Sequence, residues 1–272
     1  MRVILRIGIV TGLKKALRAD LGHSLPLETT LADSIKERYF EVDRRISLAC
    51  RDAGRNRDDV KLIVVTKGHS SLEIMEVINA GAMILGENYP EETLIKIEEI
   101  ESLAHPTWHM IGHLQSRKIK LMYPSFKCIQ SIDSLELAQK INKFFEEKDS
   151  TVDALIEINV AGEESKFGFD ASSPERRESL ITTIESISHL PHINLVGLMT
   201  MPPYAVEPTQ NEACYNLCQD FCTQISKNLG LNKFKQLSMG TSADFETAIK
   251  CGATFIRVGE AIMGKRYYPN KT

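Results

Sequence analysis

From about residue 30 onward the chain repeats one unit: a short apolar run bounded by turn residues, followed by a segment whose apolar positions step by three and four. The runs are "KLIVV", "AMILGEN", "TWHMIGH", "FKCIQSI", "DALIEINV", "INLVGLMT", "FKQLSMG" and "TFIRVG". Helical segments lie between them, such as "SSLEIMEVINAG", "PEETLIKIEEIESL", "QSRKIKLM" and "NEACYNLCQDFCTQISKNLG". Apolar runs that short, separated by amphipathic helices, are the pattern of parallel strands buried on both faces. Eight such pairs predict an α/β protein built as a (β/α)8 barrel of the TIM type. An open, doubly wound sheet is the alternative, because periodicity does not show closure.

Local signals set the ends of these elements. Thr30 with Asp33, and Ser70 with Glu73, have capping-box spacing, and Gly54 and Gly81 stand where helices should stop. After residue 30 no linker rich in Pro, Gly or Ser divides the chain, so residues 31–272 are expected to form one domain. Residues 1–30 are basic and poor in acids, and a transit peptide of that kind would carry more serine than Ser24 alone. They are expected to be an N-terminal extension, helical or disordered.

Composition excludes several classes. Charged residues make up 25% of the 272, and the formal net charge is −3, which argues against nucleic acid as a partner. No apolar run approaches the ~18 residues of a membrane span, so no membrane is expected. The 6 cysteines lie mostly inside periodic segments, which fits reduced thiols and a cytoplasmic location. Cys214, Cys218 and Cys222 repeat by four as one face of a helix. His105, His109 and His113 also repeat by four, but Pro106 and the strand-like alternation argue against a metal-binding helix. No metal site is expected.

In such a barrel, chemistry collects where strands end and the following loops begin. The residues there are Lys67, Asn88, His113, Asn159, Thr200, Ser238 and Arg257. Lys67, directly before Gly68, reads either as a charge leading the chain to solvent or as an amine for Schiff-base chemistry with an aldehyde. "LSMGTSADF" and "RVGEAIMG" follow the seventh and eighth runs, where Thr241 or Ser242 is expected to cap a helix and glycines allow close approach. Barrels of this type often bind phosphate there, and closure would make the first strand, with Lys67, a neighbour of the last.

The stretches "VVTK", "GENY", "WHMIGHLQSRK", "INVAGEESKFGF", "GLMTM", "LSMGTSADFETAI" and "RVGEAIMGKR" occur in order. Together they closely resemble the YggS/PROSC family of pyridoxal 5′-phosphate (PLP) homeostasis proteins, over about residues 31 to 268. The resemblance implies a single barrel like the N-terminal domain of alanine racemase, with PLP held as an aldimine on Lys67. It also implies a cofactor shell of Asn88, Ser238, Gly240, Gly259 and Glu260, with Arg257 facing the pyridine nitrogen. An arginine only donates, so it would leave that nitrogen unprotonated and the ring a weak electron sink. The implied role is therefore a non-catalytic carrier in intracellular vitamin B6 homeostasis, without catalytic residues and without strong activity. PLP-dependent apo-enzymes are the implied recipients, and a monomer is expected. The alternative is an amino-acid racemase, although racemases of this fold carry a second domain with an opposing tyrosine. Three departures stand out: Thr241 where methionine is commoner, Glu260 where a hydroxyl residue is commoner, and "KGHSS" after the lysine. A Glu260 carboxylate would repel a phosphate unless it turns away. Lys166, in "EESKFGF", is the rival lysine.

Overall fold

The computed structural model describes residues 34–163, 166–203 and 208–265. Contact clustering separates Met1–Asp33 from a second unit, Ser34–Thr272, and the architecture below is that of the second unit. The expected domain start at Leu31, and the pairing of Thr30 with Asp33, lie outside the described residues. Within them, the first helix α1 (Ile35–Asp52) opens on Ser34, whose hydroxyl accepts from Glu37 N–H while Glu37 returns the bond. Its apolar stripe, Val42, Ile46 and Ala49, is buried, and Gly54 turns the chain at φ +64°.

The eight expected runs all form strands. They are β1 (Lys61–Val65), β2 (Ile84–Glu87), β3 (Thr107–Met110), β4 (Phe126–Ile132), β5 (Val152–Asn159), β7 (Ile193–Thr200), β8 (Gln236–Ser238) and β9 (Phe255–Val258). A two-residue strand, β6 (Phe169–Asp170), adds to the edge of β5 and had no signal in the sequence. Every pairing is parallel, β1 pairs with both β2 and β9, and β4 pairs with β5. The sheet therefore closes, and the open alternative is excluded. Helices α2 (Ser71–Asn79), α3 (Pro90–Ile100), α4 (Leu135–Glu146), α5 (Pro174–Ser188), α6 (Glu212–Leu229), α7 (Phe245–Lys250) and α8 (Glu260–Met263) follow their strands. "QSRKIKLM" forms a 3-10 segment, Ser116–Leu121, rather than an α-helix.

Apolar burial is divided unequally. One large cluster lies between sheet and helices and includes Val64, Leu85, Met110, Ile156, Leu198 and Ile256. A second, inside the barrel, consists of Cys128, Leu155 and Met199 with Val196 against it. Side chains alternate along a strand, so in β5 Ala154, Ile156 and Ile158 face the helices while Leu155 faces inward, and Glu157 shares its parity. The barrel interior is thus largely polar, which is where the candidate site lies.

Candidate functional site

The loop after β8 is organised by one carboxylate. Asp244 is buried, and its Oδ1 accepts from the Thr241 N–H at 2.7 Å and the Thr241 hydroxyl at 3.0 Å. Its Oδ2 accepts from Tyr215 Oη at 2.7 Å and Asn211 Nδ2 at 2.8 Å. Burial and this neighbouring carboxylate push the Tyr215 phenol well above its ordinary range, so it remains a donor. Gly240 enters the loop at φ +89°, and a Cβ there would stand 2.5 Å from Ala248 Cβ. Only glycine fits.

This geometry corrects one expectation. Neither Thr241 nor Ser242 caps α7, whose N-cap position is Asp244. Ser242 Oγ instead accepts the N–H groups of Gly259 and Ala261, each at 3.2 Å. Two backbone donors at the start of α8 thus converge on one oxygen beside β9. Glu260, between them, is exposed.

Inside the barrel a chain of hydrogen bonds runs from Arg257 toward the amino end of the strands. Arg257, 5% exposed, donates through Nη1 to Ser238 Oγ at 2.7 Å and through Nη2 to the Thr200 carbonyl at 3.0 Å. Ser238 Oγ lies 2.6 Å from Gln130 Oε1, and Gln130 Nε2 lies 2.9 Å from His109 Nδ1. Ser238 accepts from the guanidinium and, with the Gln130 amide oxygen facing it, donates its own proton to Gln130 Oε1. The Gln130 amide then donates to His109 Nδ1, and the imidazole carries its proton on Nε2. Burial, then the Lys61 charge, lowers the His109 pKa to about 4, so the ring is neutral at pH 7.

Lys67 stands in the turn just past β1, half-buried, beside the β9 seam. Its flanks are tied to a second buried group. Lys96 of α3 is 5% exposed, and its Nζ lies 3.0 Å from the Thr66 carbonyl, 2.8 Å from Glu87 Oε1 and 2.6 Å from Glu92 Oε1. Thr66 Oγ1 donates to Glu87 Oε1 at 2.8 Å, and the Gly68 N–H donates to Glu92 Oε1 at 3.1 Å. Residues on both sides of Lys67 are therefore held by one ammonium and its two carboxylates. Asn88 follows Glu87, and its buried Oδ1 has no hydrogen-bond partner among the described residues. Gly112 makes room for it, since a Cβ there would lie 2.8 Å from Asn88.

The other strand-end residues serve the scaffold. Asn159 folds its own loop by bonding Glu163 O and Gly162 N–H, and Thr200 Oγ1 bonds the Ile158 carbonyl. His113 pairs with Asp133 at 2.9 Å and stacks on Phe167. The rival Lys166 pairs with Glu163 at 2.6 Å and donates to the Met201 carbonyl at 3.2 Å. The three histidines share no helical face: His109 is inside β3, while His105 and His113 flank that strand. Cys214, Cys218 and Cys222 do share one face of α6, and burial raises the Cys222 thiol to about 12.

Glu157 was not legible as a site residue. It is 7% exposed, inside the barrel on β5, with no hydrogen bond to a described residue. Desolvation, then Asp133, raises its pKa to about 7, against the pull of Arg257.

A relative from Haemophilus influenzae, "Pyridoxal phosphate homeostasis protein", is 34% identical over 228 residues, covering 84% of this chain and 94% of that protein. The chain belongs to the pyridoxal phosphate homeostasis protein family. Family members of the same name from Aquifex aeolicus and Escherichia coli are 36% and 31% identical, covering 85% and 88% of this chain and 98% and 100% of theirs. The family model "Alanine racemase, N-terminal domain" matches residues 46–267. Among solved structures, PipY of Synechococcus elongatus with PLP bound is 28% identical with a TM-score of 0.71, covering 82% of this chain and all (100%) of PipY. An alanine racemase of Clostridium difficile shares the fold, with a TM-score of 0.63 at 19% identity; the match covers 88% of this chain and 58% of the racemase.

Proposed function

We propose that the chain binds PLP covalently through Lys67 and takes part in intracellular PLP homeostasis as a carrier. The observation that carries this reading is the β1–β9 seam, where a lysine on one strand end adjoins two converging backbone N–H donors on the other. Membership of a family whose relatives are named for PLP homeostasis supports it, as does the structure of PipY with PLP bound.

The residues fit the cofactor. The Gly259 and Ala261 N–H groups, which here grip Ser242 Oγ, would suit a phosphate oxygen in its place, with Gly240 leaving room. Ser238, through its bond to Arg257, links this shell to the donor expected at the pyridine nitrogen. Asn88 Oδ1 offers an unsatisfied acceptor at the mouth, and Glu260 contributes only its backbone. When bound, PLP supplies an aldehyde that condenses with a primary amine and a ring that withdraws electrons. Lys67 supplies that amine, the Lys96 cluster holds its turn, and Arg257 keeps the ring nitrogen free of a proton.

Purified protein is expected to be yellow, and borohydride reduction should fix the cofactor to the peptide holding Lys67. Lys67→Ala protein that still carried a reducible cofactor at normal occupancy would overturn the assignment. The proposal extends to a cytoplasmic monomer that delivers PLP to apo-enzymes. Light scattering would test the first part and cofactor transfer to a purified apo-enzyme the second. Glu157 keeps a racemase reading testable, because β5 lies across the closed sheet from β1 and offers a titratable group there. Loss of optical activity from an amino acid that vanished in both Lys67→Ala and Glu157→Gln protein would favour the enzyme.

A further inference from the structure

The hydrogen-bond chain through the barrel has a second end, at the opening opposite the cofactor side. There a cavity of about 280 Å³ is lined by His109, Lys61, Lys127, Asp153, Gln236 and Phe255, among others. Because the Gln130 amide turns its oxygen to Ser238 and its nitrogen to His109 Nδ1, His109 presents Nε2–H rather than a lone pair to whatever adjoins it. His109 is 5% exposed, its hydrogen bond to a described residue is made at Nδ1, and the ring lines the cavity. Its Nε2–H is therefore available to an acceptor that enters the cavity.

The charges at the cavity narrow the choice. Lys61 opens β1, and its Nζ lies over the Phe255 ring, 5.6 Å from the centroid, while the His109 ring meets Phe255 edge to face. Lys127 stands at the rim, its Nζ 3.3 Å from the Pro124 carbonyl. The opposing carboxylate, Asp153, is engaged by Asn194 Nδ2 at 3.2 Å. Donors and positive charge therefore outnumber acceptors, which suits an anion with several oxygens rather than a lone water or a cation.

We propose that the amino-terminal opening of the barrel is a second binding site, for a small oxyanion of the phosphate or phosphate-monoester class, held by His109 Nε2–H and the Lys61 ammonium. Because the same chain ends on Arg257, occupancy of this site and occupancy of the cofactor side should favour each other, and the coupling must be reciprocal. The coupling clause rests on the PLP reading above; the anion site does not.

The test is a titration of cofactor-free protein with inorganic phosphate, and separately with glycerol 3-phosphate, at constant ionic strength set with chloride. The His109 Nε2 signal is followed by long-range ¹H–¹⁵N NMR. A saturable shift is expected with at least one ligand, and it should weaken about tenfold or more in Lys61→Gln protein. Saturation by phosphate indicates a free anion, and by the ester alone a monoester; either supports the site. No saturable shift, or equal titration in Lys61→Gln protein, would overturn it. Lys61 is exposed at a strand start, so the variant is expected to fold, and its borohydride labelling at Lys67 reports on the cofactor reading separately. If labelling fails while the anion shift persists, only the coupling clause falls.

Discussion

A carboxyl group inside a barrel pays a desolvation cost that its neighbours can offset or worsen. For Glu157 the cost dominates, with Asp133 adding to it and Arg257 relieving it in part, and its pKa moves from 4.5 to about 7. The sign follows: between those values the folded chain binds more protons than the unfolded one, so this group's contribution to stability falls as pH rises toward 7. Glu157→Gln should remove that slope, worth about 3 kcal/mol at pH 8 relative to pH 4.5 by the energy of a shift of this size. Urea unfolding of both proteins across that range measures it. His109 runs the other way: its pKa falls from 6.5 to about 4, so its contribution is lost as pH falls through that interval. The His109 ¹⁵N signals should show a neutral ring down to about pH 5, protonated on Nε2. Lys67 could be read from the sequence because its place at a strand end next to a glycine is local. Gln130, Ser242 and Glu157 could not, because their roles depend on residues far along the chain; Ser238 and Gln130 are 108 apart.

Among the elements, α3 does more than cover β2. Its Lys96 is an ion pair partner inside the apolar layer, where an ammonium is stable only while both carboxylates face it. Lys96→Met should cost about 3–5 kcal/mol, the range for breaking a buried pair. It should also slow borohydride-detected labelling of Lys67 by more than the loss of folded protein explains. Lys96→Arg, which keeps the charge, should recover part of both. The helix was legible from its period, and Glu92 and Lys96 from their i, i+4 spacing, but that pattern normally marks a solvated face. Burial against Glu87 inverts its meaning. β6 was missed for a related reason, since two residues cannot display an alternation.

For the whole molecule, the strand count was readable and closure was not, because the pairings of β1 with β9 and β4 with β5 leave no local trace. All strands and helices named here lie within Ser34–Lys265, and α1 begins with its own cap at Ser34. Protein lacking residues 1–33 is therefore expected to load PLP and to melt within about 2 °C of the full chain, a shift corresponding to about 1 kcal/mol. Calorimetry and the visible spectrum check this.

The β1–β9 seam also has a consequence for synthesis. Lys67 is synthesised well before the strand it adjoins, since β9 spans Phe255–Val258. A nascent chain released short of that strand has an open sheet edge and no partner for the lysine's side of the barrel. Cofactor colour is then expected to report barrel closure: chains cut before β9 should stay colourless, and PLP should stabilise only those that have joined β1 to β9.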